Sequence, residues 1–104
     1  GATYLVDAEF FSDKLNEYNI IMDLGVVMKI LKETLKVYNY KNLDEVEEFK
    51  NIITSTEFLA KNIFDKILNK LKSDYPNDYK ILKKIKISLQ ESNVAWATYE
   101  QQIN

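Results

Sequence analysis

The sequence predicts an all-α fold, a single helical domain over residues 1–104 built as a bundle of four or five helices. Three observations predict it. Only two Gly and one Pro interrupt 104 residues, too few for the many turns of an all-β domain. Apolar residues make up 46% of the chain and charged residues 29%, a balance that suits a packed core rather than disorder. Apolar residues also recur at spacings of three and four along much of the chain, the period of a helix with one buried face.

A first helix is expected over roughly Val6 to Asn16, where Val6, Phe10, Phe11 and Leu15 lie near helical spacing. A second begins near Asn19 or Asp23 and runs to about Tyr38. It turns Val27, Ile30, Leu31 and Leu35 inward and Lys29, Lys32, Glu33 and Lys36 outward. Gly25 inside it would cost up to about 1 kcal/mol relative to Ala, and a close helix crossing would explain it. Residues 39–42 read as a loop. Asn42 followed by Glu45 resembles a capping box, and Asp44, Glu45, Glu47 and Glu48 favour a helix N-terminus through the dipole. That helix carries Val46, Phe49, Ile52 and Ile53.

A second capping box at Thr54-Ser55-Thr56-Glu57 points to a break or kink near Ser55. The helical pattern resumes with Leu59, Ile63, Phe64, Ile67, Leu68 and Leu71. Pro76 removes a donor and biases Tyr75 toward extended geometry, so the helix should stop before it. After Pro76 a last helix, Leu82 to Ile103, is expected. Leu82, Ile85, Leu89, Ser92, Trp96, Tyr99 and Ile103 alternate spacings of three and four, as in a bundle seam. Trp96 then anchors the core, and the small Ser92 admits a neighbouring helix.

The absent residues exclude much chemistry. Without Cys there is no disulfide, thiolate nucleophile or thiolate metal site. Without His the commonest general base and transition-metal ligand is missing. All 14 cations are Lys, so the bidentate fork of Arg is unavailable. Paired carboxylates are the acid–base chemistry left. Glu45 with Glu48, and Asp44 with Glu48, sit at helical spacing, but such a run is ordinarily a solvated helix start. Lys80, Lys83, Lys84 and Lys86, with Lys66, Lys70 and Lys72, form a basic cluster that also reads as a solvated face. Nucleic-acid binding would want more positive charge and Arg. Tyr38, Tyr40, Tyr75 and Tyr79 gather near predicted loops, where such residues close a small core with wet hydroxyls or, as the alternative, form a binding surface. No cofactor or metal site is expected, and the longest apolar run is too short to span a bilayer. The net charge of −2 is unevenly spread. Residues 1–57 carry 6 Lys against 11 acids, and residues 58–104 carry 8 Lys against 5 acids.

Two segments together resemble the LprI-like lysozyme-inhibitor family of small secreted bacterial proteins. One family word, Asp-x-x-Leu-Asn-x-x-Tyr, is matched by Asp65, Leu68 and Asn69, with Lys72 in the tyrosine place. The second is matched by Leu89, Ser92, Ala95, Trp96 and Tyr99. The family's closing cysteine has no counterpart here, and residues 1–50 match nothing. The resemblance covers about residues 54–104 and gives these eight positions a structural role. It implies a helical protein, periplasmic or secreted, that is not an enzyme and that binds, and in some members inhibits, a lysozyme-like enzyme. No signal peptide is visible, and a cytoplasmic location is the alternative. The acidic run Asp44, Glu45, Glu47 and Glu48 is the candidate protein-binding surface, since acidic patches speed encounter with basic partners. Two other functions fit: an immunity or antitoxin-like protein neutralising a cognate toxin, and a helical host-interaction domain of a larger surface protein. The oligomeric state is open.

Overall fold

The protein is an α/β structure, not an all-α bundle. The computed structural model describes residues 4–38, 55–92 and 95–104, without the side chain of Ser92. Its elements in chain order are β1 (Leu5–Phe11), α1 (Leu24–Leu35) with a 3-10 turn Lys36–Tyr38, α2 (Thr56–Asp74), α3 (Pro76–Ile81), β2 (Lys84–Ser92) and β3 (Ala95–Gln102). The strands form an antiparallel sheet in the order β1-β2-β3. Helix α2 lies across one face of the sheet and α1 packs on α2.

The two expected terminal helices are the strands. Residues four apart share a face in a helix and in a strand alike, so Val6 and Phe10, or Ile85 and Leu89, satisfy both periods. Ile87 separates the readings. It is fully buried between Ile85 and Leu89, which a strand allows and a helix does not. Lys84, Lys86, Ser88 and Gln90 alternate with these three on the other face. In β1 the half-buried Val6, Ala8 and Phe10 alternate with exposed Leu5, Asp7, Glu9 and Phe11. Residues three apart fall on opposite faces of a strand, and this divides the supposed seam. Tyr99 packs edge-on against Phe64, with ring centroids 4.9 Å apart. Trp96 points the other way and is 58% exposed, so it is not a core anchor.

The middle of the chain follows its sequence signals. The Asp23 carboxylate caps α1, accepting from the Val26 N–H at 3.0 Å. Among the described residues, no helix crosses at Gly25. A Cβ there would lie 2.9 Å from Asp23 Oδ2, so the glycine leaves room for the capping side chain. Ser55 caps α2 through Phe58 N–H at 3.1 Å. Leu59, Ala60, Ile63, Phe64, Ile67 and Leu71 form the buried stripe of α2. They meet Ile85, Ile87, Leu89 and Ala97 of the sheet in one core, with Leu82, Ile30 and Met22. The helix ends at Asp74, and Pro76 opens α3 at its first turn. The Asn104 amide donates to the carbonyls of Tyr79 and Leu82, both at 2.7 Å, tying the chain end to α3. The helix expected over residues 42–53 and the loop before it lie outside the described residues.

Candidate functional site

Strands β2 and β3 run in regular register from Lys84↔Gln102 to Gln90↔Trp96, and the next pair is Ser92↔Ala95. Gln90 and Ser92 thus face consecutive residues of β3, and Glu91 is the extra residue of a β-bulge. A bulge interrupts pairing and re-aims the side chain it carries, and bulges gather next to active sites. Here it brings Glu91 to the start of α2, where the Thr56 hydroxyl donates to Glu91 Oε2 at 3.4 Å. The carboxylate stays exposed, and the positive end of the helix dipole favours an anion there.

Strand β1 supplies the third group. Leu5 pairs with Gln90, so Tyr4 falls beside Glu91 at the same sheet end. Its ring packs against the core. Burial pushes the Tyr4 phenol above its usual value, and the nearby Glu91 charge adds to the rise. The phenol therefore stays protonated at neutral pH and keeps its donor. Three elements converge on a solvent-accessible acceptor, a neutral donor and a second hydroxyl.

The uncovered sheet face runs on from this end in rows. Leu5, Gln90 and Trp96 lie in the first, with Leu5 61% and Trp96 58% exposed. Asp7, Ser88 and Thr98 follow, with the two hydroxyl oxygens 3.2 Å apart. Then Lys86 stands 3.8 Å from Glu9, and Lys84 stands 3.4 Å from Glu100 and over the Phe11 ring. Lys84 and Lys86 of the basic cluster are thus paired with acids. A shallow groove of about 500 Å³ lies elsewhere, between α3 and the loop before α1. Two of its polar side chains are committed to backbone: Asn16 Oδ1 accepts from Tyr18 N–H at 2.8 Å and Ile20 N–H at 3.3 Å, and Asp23 caps α1. Among the described residues, no three acidic side chains converge to hold a metal ion.

The positions singled out in the sequence do not assemble into a site. Asp65 pairs with Lys61 at 2.8 Å on the outside of α2, with Leu68 half-buried and Asn69 exposed on that helix. Leu89 is buried in β2, Ser92 ends that strand, and Ala95, Trp96 and Tyr99 belong to β3. Asp44, Glu45, Glu47 and Glu48 lie outside the described residues. Of the loop tyrosines, the Tyr38 hydroxyl donates to Asn62 Oδ1 and that of Tyr79 to the Ile103 carbonyl at 3.3 Å. Sequence reasoning missed Glu91, Tyr4 and Thr56. The signal that could have found them is the alternation of Ile85, Ile87 and Leu89, which ends in a polar Glu91 just before the turn.

A family model described as 6-pyruvoyl tetrahydropterin synthase matches residues 1–102. Among solved structures, the 6-pyruvoyl tetrahydropterin synthase of Plasmodium vivax is similar at 12% identity, covering 98% of this chain and 80% of that chain, with a TM-score of 0.76. Two variants of that protein, with a catalytic glutamate replaced by alanine or by cysteine, match with the same figures. At this identity the likeness shows the fold alone. No curated protein matches the sequence. These matches overturn the LprI-like resemblance and the lysozyme-inhibitor function it implied, and with them the separate antitoxin and host-interaction readings. Its two words are short, and the second straddles a hairpin turn rather than lying on one helix. The expectation of a non-enzyme is corrected too, because the matching family is one of synthases. The expected lysozyme or toxin partner falls with it, since the matching family is named for a tetrahydropterin.

Proposed function

Because the chain belongs to the 6-pyruvoyl tetrahydropterin synthase family, we propose that it binds a pterin at the Glu91 cluster and forms a tetrahydropterin from it. The observation that carries this reading is the bulge that turns Glu91 out of the strand register beside α2. One edge of a pterin presents a 2-amino group and a ring N3–H as adjacent donors, with a 4-oxo acceptor beyond them. A carboxylate accepts two parallel N–H bonds, the strongest geometry available to it.

The name of the relatives specifies a pyruvoyl side chain at carbon 6, with two adjacent carbonyls. Forming such carbonyls moves protons between carbon and oxygen, which calls for general acid–base groups. With no His or Cys in the chain, carboxylates, phenols and lysine amines are the groups that remain for it.

Titration of tetrahydropterin, followed by calorimetry, tests the proposal. Glu91→Gln keeps the size of the side chain and removes its charge and one acceptor. It should weaken binding by about tenfold to a hundredfold, the worth of a charged hydrogen bond. Absence of binding by the unaltered protein, or equal binding by Glu91→Gln, overturns the proposal.

A further inference from the structure

We infer that Tyr4 is a specificity-determining residue of the Glu91 cluster, its hydroxyl donating to the 4-oxo group of a pterin whose N–H edge is held by Glu91. This rests on the function proposed above and adds a second contact to it. The placement comes from the sheet. Leu5 pairs with Gln90, and its side chain lies on the uncovered face. Tyr4, one residue earlier, takes the opposite face, where its ring packs against the core, and it reaches the sheet end where the bulge presents Glu91. Among the described residues, none forms a hydrogen bond with the Tyr4 hydroxyl.

The chemistry of the two groups is complementary. An ionised carboxylate only accepts, and a neutral phenol is the better donor. A ligand edge satisfying both offers two donors followed by an acceptor, the order of the 2-amino, N3–H and 4-oxo groups of a pterin. Burial and the Glu91 charge both keep the phenol neutral, so the donor persists across the neutral range.

The test uses Tyr4→Phe, which keeps the ring packed against the core and removes the hydroxyl. Two ligands are compared: tetrahydropterin, and the matching 2,4-dioxo compound, which lacks the 2-amino group but retains O4. Tyr4→Phe should weaken both by a similar factor of about three- to tenfold. Glu91→Gln should weaken the pterin far more than the dioxo compound. The infrared stretch of the bound, isotope-labelled C4 carbonyl should move to higher wavenumber in Tyr4→Phe, a change that a purely structural role would not cause. Unchanged affinity and carbonyl stretch in Tyr4→Phe, while Glu91→Gln still weakens binding, overturns the role of Tyr4 and leaves the pterin reading standing. No binding by the unaltered protein overturns both.

Discussion

The two faces of one sheet are stabilised by different physics. Under α2, Ile85, Ile87 and Leu89 are sealed from water and meet Phe64, Ile67 and Leu71. On the other face the same strands carry Lys84 and Lys86 with Glu100 and Glu9, and Trp96 stands 58% exposed. Each buried side chain contributes about 1.5–3 kcal/mol by leaving water. A solvated ion pair contributes about 0–1 kcal/mol. Stability therefore resides on the covered face, and the uncovered face is left to vary in chemistry.

The largest expected effect breaks the covered face. Phe64→Ala removes a fully buried ring and its edge contact with Tyr99. It should cost about 3–5 kcal/mol in urea unfolding. A cost below about 1 kcal/mol would mean that α2 does not seal the sheet. Ser55→Ala tests how α2 is held at the site, and should cost about 1 kcal/mol by removing the cap on Phe58 N–H. On the uncovered face, Lys86→Ala should change stability by less than about 1 kcal/mol. Trp96 should show the long-wavelength, readily quenched emission of a solvated indole, and blue-shifted, protected emission would return it to the core.

The smallest effect is a pH dependence. The folded Tyr4 phenol lies above its unfolded value, because burial and then the Glu91 charge disfavour the phenolate. The folded state holds that proton more tightly. Its stabilising contribution is complete below the unfolded value of about 10 and is lost as pH rises through the folded value. Alkaline unfolding curves of the unaltered protein and Tyr4→Phe should coincide at neutral pH, and only the former should carry this loss above about pH 10. Parallel curves throughout would remove Tyr4 from the charge field of Glu91.

Legibility followed periodicity and length. Helix α2 was readable because Leu59, Ile63, Phe64, Ile67, Leu68 and Leu71 continue the pattern over three turns, and the adjacent pairs Ile63-Phe64 and Ile67-Leu68 share one helix face but fall on opposite faces of a strand. Asp23 and Ser55 were readable as caps because capping is local chemistry. The C-terminal hairpin was misread because Ile85 and Leu89 satisfy both periods, and the sequence has no Gly or Pro between its two strands. Giving Ile87 its weight would have favoured the strand. The site was hidden for another reason. Glu91 is one acid among 16, and only the alternation of Ile85, Ile87 and Leu89 that ends in it separates it from the others.

By itself the sequence determined the buried stripe of α2 and its end before Pro76, and it left the starts of the two helices as a break near Ser55 and a choice between Asn19 and Asp23. It also determined that acid–base chemistry here falls to carboxylates, phenols and amines, since His and Cys are absent. These follow from contacts within a few residues, or from composition. Only the tertiary structure decided that the two chain ends are strands, because a strand is completed by hydrogen bonds to residues about 80 positions away, as Leu5 pairs with Gln90. The β2–β3 register makes Glu91 the extra residue of a bulge, the β1–β2 pairing sets Tyr4 beside it, and the packing of α2 on the sheet brings Thr56 to it.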